Sequence, residues 1–184
     1  MSSLEFINKS EPEIRKPLVI AAMQDMGNVG SIVVNFINKS LDTIPFRHVK
    51  STIPPYVYDR GGFIEIPEEK WEYRFGNDFI IFGGGPGQPQ QNDELNELCQ
   101  DVIDIAKKYD AKFIYTVGGF HTSKQFGKHP TTYVTTTSKS LLAQVQKLGI
   151  ESLSLYTHLR AHETVLDLVC RLLLEKKNNK QTIP

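Results

Sequence analysis

The sequence predicts an α/β protein, a three-layer αβα sandwich built on a mainly parallel sheet, and three observations carry that prediction. Short, nearly all-apolar runs such as Leu18-Val19-Ile20-Ala21-Ala22-Met23 and Phe79-Ile80-Ile81-Phe82 read as strands buried on both faces. Glycine-rich turns close them: Gly27-Asn28-Val29-Gly30, Gly83-Gly84-Gly85 and Gly118-Gly119. Segments with helical apolar spacing follow, and strand–turn–helix repeated in this way builds right-handed βαβ units.

The first helix opens after Asn28, where Val29, Ile32, Val33, Phe36 and Ile37 fall at i, i+3, i+4, i+7 and i+8. Upstream, Leu4, Phe6 and Ile7 fit a short edge strand. Residues 46–51 read as the second buried strand. Pro54-Pro55 then bars a central strand, because proline lacks the ladder donor. Phe63-Ile64-Glu65-Ile66 and Trp71-Glu72-Tyr73-Arg74-Phe75 flank a charged turn and read as an inserted β-hairpin over about 61–76. Trp71, Tyr73 and Phe75 share one face of its second arm. That face covers the core, and in an oligomer it also offers aromatic interface candidates.

After residues 79–82, a helix over 93–109 keeps Leu95, Leu98, Cys99, Val102, Ile103 and Ala106 on one face, with Asn92 or Asp93 as its cap. Residues 112–117, 131–137 and 150–156 complete the parallel-type strands. Ser138 caps a helix bearing Leu141, Leu142, Val145 and Leu148. The last helix spans roughly 161–175, and a polar tail occupies about 176–184. With neither repeat nor linker, 184 residues read as a single domain, 1–184.

Lysine plus arginine and aspartate plus glutamate each total 21, so the formal net charge is zero. A balanced surface argues against nucleic acid or an anionic membrane as partner. The two cysteines, Cys99 and Cys170, lie on apolar helix faces and read as reduced, buried thiols. His158 and His162 stand at i, i+4 without a glutamate beside the first, so no metal is expected. Neither a signal peptide nor a membrane-length apolar run stands out, and the expectation is a soluble cytoplasmic protein.

In a parallel sheet the loops leaving the strand ends share one rim, where ligands and partners meet. Here these are 24–31, 83–91 and 118–122, and their candidate binding residues are Asp25, Gly27, Asn28, Gly30, Ser31, Gln88, Pro89, Gly118, Gly119, His121 and Thr122. An enzyme reading puts a nucleoside-like or phosphorylated ligand on the N–H groups at the helix start, with His121 as acid or base. Against it, the first loop lacks the third glycine of a dinucleotide fingerprint and the lysine of a P-loop. The carboxylate of Asp25 would cap the helix and repel a phosphate. His121 has no carboxylate beside it in sequence, and no nucleophile elbow is present. No catalytic residue and no cofactor are therefore assigned.

Five motifs in series resemble the proteasome assembly chaperone 2 family over about 17–149: Met26-Gly27-Asn28-Val29-Gly30-Ser31, Pro54-Pro55, Gln88-Pro89-Gln90, Tyr115-Thr116-Val117-Gly118-Gly119 with Thr122, and Tyr133-Val134-Thr135-Thr136-Thr137-Ser138. The resemblance implies a phosphorylase-like α/β sandwich, homo- or hetero-oligomers with a homo-oligomer expected here, and non-enzymatic binding of proteasome subunits. Some members were once grouped with ATP-grasp carboxylate-amine ligases, but no nucleotide signature here supports that label. Asp25 stands where the family usually has glycine, and His121 where proline is common. The end, Gln181-Thr182-Ile183-Pro184, lacks the tyrosine of tail-docking relatives, so contact through the body of the fold is expected.

Overall fold

The computed structural model describes residues 4–25, 27–51, 57–65, 70–85, 87–89, 91–119 and 132–152. Contacts gather into two compact units, 1–120 and 121–184. In the first unit the elements are β1 (Leu4–Asn8), β2 (Leu18–Ala21), α1 (Val29–Ser40), β3 (Ile44–Ser51), β4 (Tyr58–Asp59), β5 (Ile64–Glu65), β6 (Lys70–Gly76), β7 (Phe79–Gly84), α2 (Asn92–Lys108) and β8 (Ile114–Thr116). In the second, β9 (Tyr133–Val134) pairs in parallel with β10 (Glu151–Ser152), and α3 (Lys139–Lys147) lies between them in sequence. Ser138 holds the N-cap position of α3, and Leu141, Leu142 and Val145 are its half-buried face. The expected last helix, 161–175, and Cys170 lie outside the described residues.

Six strands form the main sheet in the order β1-β3-β6-β7-β2-β8. The expected α/β class is present, but the sheet is mixed. β2 pairs in parallel with β7 and β8, whereas β1–β3, β3–β6 and β6–β7 are antiparallel. Following these pairings across the sheet, β2, β3, β7 and β8 all point one way, and only β1 and β6 oppose them. Four of the six strands expected to run parallel therefore do so in this sheet, with β6 inserted among them. The other two, expected over 131–137 and 150–156, appear as β9 and β10 in a separate two-stranded sheet.

That strand corrects the expected hairpin. Residues 71–75 do not form an outlying arm paired with 63–66; they lie inside the main sheet between β3 and β7, while β5 pairs with β4. The cause is the Gly76-Asn77-Asp78 corner. Asn77 takes a left-handed φ of 49° and Gly76 lies opposite Phe79, which folds β6 directly back onto β7. Trp71 and Tyr73 are consequently core residues of this chain, Trp71 only 1% exposed, and neither is available as an interface anchor. Phe75 is half-buried.

The two long helices cover opposite faces. On one, Val34 of α1 packs with Ile81 and Ala22, and Phe79 and Ile37 pack around them. On the other, α2 buries Leu95, Leu98, Cys99, Val102, Ile103 and Ala106, the expected stripe. Gln91, not Asn92 or Asp93, holds its N-cap position. Burial pushes the Cys99 thiol up to about 12, consistent with an inert structural cysteine. The Tyr73 and Phe82 rings lie 4.7 Å apart and tilted, and Phe46 meets Tyr73, Phe75 and Tyr109 at 5.9–6.1 Å in tilted or edge-on geometry.

α1 buries only part of the stripe its periodicity indicates, with Val33 and Ile37 half-buried. Gly30 and Val34 face inward, whereas Ile32 and Phe36 are 63% and 71% exposed. Apolar residues populate both sides of this helix, so spacing alone could not select the inner one. Small residues did: a Cβ on Gly83 would stand 2.6 Å from Val34 Cγ1, so glycine there lets α1 lie close.

Across the α2 face Arg47 makes a two-pronged bond to Asp101, Nη2–Oδ1 at 2.5 Å and Nε–Oδ2 at 3.3 Å, and the Tyr73 hydroxyl donates to Oδ2 at 2.7 Å. Both charged side chains are only 13% exposed. Such a pair is costly to break from one side, because the remaining charge is stranded. Asp101→Ala is therefore expected to lose about 3–5 kcal/mol in urea unfolding. Arg47→Met combined with Asp101→Leu should recover most of that loss.

Candidate functional site

Because β2, β7 and β8 point the same way, their outgoing loops lie at one end of the sheet. The ladder extends slightly past each strand: Ala22 N donates to Phe82 O at 3.0 Å and Val117 N to Ala21 O at 3.2 Å. The chain then turns through Gly27 (φ 87°) and Asn28 (φ 57°) into α1. Asn28 occupies the N-cap position in left-handed conformation and makes no side-chain capping bond.

Asp25 does the capping instead. Its Oδ2 accepts from Gly30 N at 3.3 Å and also from Gly119 N. One carboxylate oxygen thereby ties the start of α1 to the loop after β8. The positive end of the helix is met by a fixed negative charge, the placement that the dipole favours. Oδ1 of Asp25 is buried and has no hydrogen-bond partner among the described residues.

Gly30 is where the backbones crowd. A Cβ there would stand 2.8 Å from Met23 O, 2.9 Å from Val117 O and 3.0 Å from Ala22 Cβ, so only hydrogen fits between the helix start and two strand ends. The β7 loop is filled in the same manner. Trp71 Nε1 donates to Gly87 O at 3.1 Å, and its ring lies where a Cβ on Gly85 would come within 2.6 Å. Gln88 and Pro89 are half-buried beyond it, Ser31 is half-buried, and Asn28 and Gly118 are exposed.

Asp25, Gly30 and Gly119 are therefore brought together directly, with Gly27, Asn28 and Ser31 on the same turn. Gln88 and Pro89 belong to the loop packed on Trp71. His121 and Thr122, central to the enzyme reading, lie outside the described residues. Sequence reasoning missed the role of Trp71 as the filler of the β7 loop; the glycines at 85 and 87 were its only trace. No group of histidine, cysteine, aspartate or glutamate among the described residues could hold a metal ion. No helix among them is long and apolar enough to cross a membrane.

These features define an α/β sandwich whose strand-end loops are fastened to one another by backbone contact and by a carboxylate at the helix start, where phosphate-binding relatives of such folds keep donors free. The chain belongs to the PAC2 family, whose profile matches residues 19–173. No curated protein matches it. Among solved structures it is similar to Pyrococcus furiosus PbaB, an archaeal proteasome activator, with 18% identity, 95% of this chain and 77% of that chain covered, and a TM-score of 0.72. Similar too is P. furiosus PbaA, an archaeal homologue of proteasome-assembly chaperone, with 19% identity, coverage of 95% and 72%, and a TM-score of 0.69. A PAC2 family protein from Streptomyces avermitilis follows at 10% identity, coverage of 88% and 71%, and a TM-score of 0.52. At these identities the likeness is one of fold.

Two substitutions test the rim. Gly30→Ala should cost about 1–3 kcal/mol by forcing a methyl group onto two carbonyl oxygens. Asp25→Ala leaves the Gly30 and Gly119 N–H groups without their acceptor and should cost about 1–3 kcal/mol, with faster hydrogen exchange at both amides.

Proposed function

We propose that this protein is an oligomeric, non-enzymatic binding protein of the proteasome assembly chaperone type, acting by protein–protein contact with proteasome subunits in the cytoplasm. Membership of the PAC2 family supports the reading, and so does the fold shared with a proteasome activator and a chaperone homologue. The observation that carries it is Asp25. Its carboxylate occupies the donors at the start of α1 and would repel a phosphate arriving there, so the rim is suited to shaping a surface. We further propose that 1–184 works as one domain in this role.

The test is capture and mass. Purified protein should retain proteasome α-type subunits in pull-down, and light scattering should give a mass above the 20.8 kDa of one chain. Nucleotides, nucleosides and inorganic phosphate should leave its thermal midpoint unchanged, since a ligand bound only by the folded state raises it with concentration. A monomer that retains no subunit would sink the proposal.

A further inference from the structure

The face of the sheet that carries α1 has a second, polar half. On it β1 presents Glu5 and Ile7, with Lys9 just beyond; β3 presents His48 and Lys50; β6 presents Lys70, Glu72 and Arg74. Lys50 and Lys70 stand directly opposite each other in the β3–β6 register. Like charges in that position destabilise a sheet. Glu72 is already shared, bound by Lys70 Nζ at 3.2 Å and Arg74 Nη1 at 3.0 Å. Glu5 lies opposite Lys50 but makes no ion pair with it among the described residues. Among the described residues four cations thus face two carboxylates, in a chain whose formal charges balance overall.

His48 lies within this group, 7% exposed, with its Nδ1 buried and unpartnered among the described residues. Burial, then the charges of Lys70, Lys9 and Lys50, hold its imidazole below the ordinary range, with Glu72 pulling weakly the other way. A buried ring nitrogen without a partner, beside two facing ammonium groups, is a defect in an isolated sheet. It ceases to be one if an anion sits there. The place is also functional by position, since Lys50 is near the carboxyl end of β3 and β3 points the same way as β2 and β7.

We propose that Lys50, Lys70 and His48 form a docking site for an acidic segment of a protein partner, one carboxylate side chain seating between the two ammonium groups and the imidazole. The proposal rests on the reading of this protein as one that works by protein contact. Nucleic acid fits less well: Glu5 and Glu72 interrupt the positive charge, and among the described residues the strands of this polar half present no phenylalanine, tyrosine or tryptophan for a base to stack on.

The experiment uses the full chain and a labelled oligoglutamate peptide, read by fluorescence anisotropy. Binding should weaken as salt rises. It should also tighten as pH falls from about 7.5 to about 6, because a neighbouring carboxylate favours the charged imidazole while glutamate itself stays ionised there. In the free protein the sign is opposite. With His48 held low, the unfolded chain takes up the proton first, so the stability due to the neutral ring is complete above about 6.5 and is lost as pH falls through that window. Lys50→Gln with Lys70→Gln should lower affinity at least about tenfold with an unchanged circular dichroism spectrum. His48→Gln should keep the salt dependence and lose the pH dependence, and Lys107→Glu, on the other face, should bind normally.

Absence of binding, equal binding by the double variant, an equal loss in Lys107→Glu, or tighter binding of an oligothymidylate of matched charge would each overturn the inference. Capture of proteasome subunits without peptide binding overturns this site and leaves the proposed function standing. Peptide binding here with no subunit captured does the reverse.

Discussion

The closeness of α1 to the ends of β2 and β8 is the constraint on which the rest of this structure depends. At Gly30 the space for a side chain is already occupied by two carbonyl oxygens and a methyl group. Because the helix begins in that gap, Val34 reaches Ile81 and Gly83, the Asp25 carboxylate can span from Gly30 to Gly119, and the rim loops meet one another. A single atom of bulk there would lift the helix off the sheet. Packing of this density transmits displacement and does not absorb it.

Against that tight half stands the polar half of the same face. β6, inserted between β3 and β7, supplies both: its odd-numbered aromatics fill the core beneath α2, while Lys70, Glu72 and Arg74 face the other way beside His48. Strand alternation makes these two roles inseparable, since any slip of register would exchange them. Arg74 secures the register from the far end, donating to Thr43 Oγ1 at 3.0 Å and to Thr43 O at 2.6 Å.

Much of this was legible in the sequence. The buried strands, α2 with its stripe, the edge position of β1 and the helix-capping role of Asp25 follow from apolar period and residue type. What escaped was tertiary. The hairpin pattern around 67–70 competes with the Gly76-Asn77-Asp78 corner, which is the shorter turn, and the corner brings β6 inside the sheet. The buried face of α1 could not be chosen because both its faces are apolar, and what decides is the glycine opposite, Gly83, far along the chain. The His48 cluster was invisible for the same reason. Lys50 and Lys70 become neighbours only through the β3–β6 pairing, which no local pattern of residues signals.

The strand order also bears on how the chain acquires its structure during synthesis. β3, β6 and β7 form a meander whose partners are near in sequence, whereas β2, the first buried strand, finds its neighbours only in β7 and β8. As the chain leaves the ribosome, Leu18-Val19-Ile20-Ala21 must wait, apolar and without a ladder, until residues beyond 79 have emerged. Late closure of distant pairs is slow, and it leaves hydrophobic segments open to wrong partners meanwhile. Until β7 is made, this chain thus carries an apolar strand that nothing in its own sheet yet shelters.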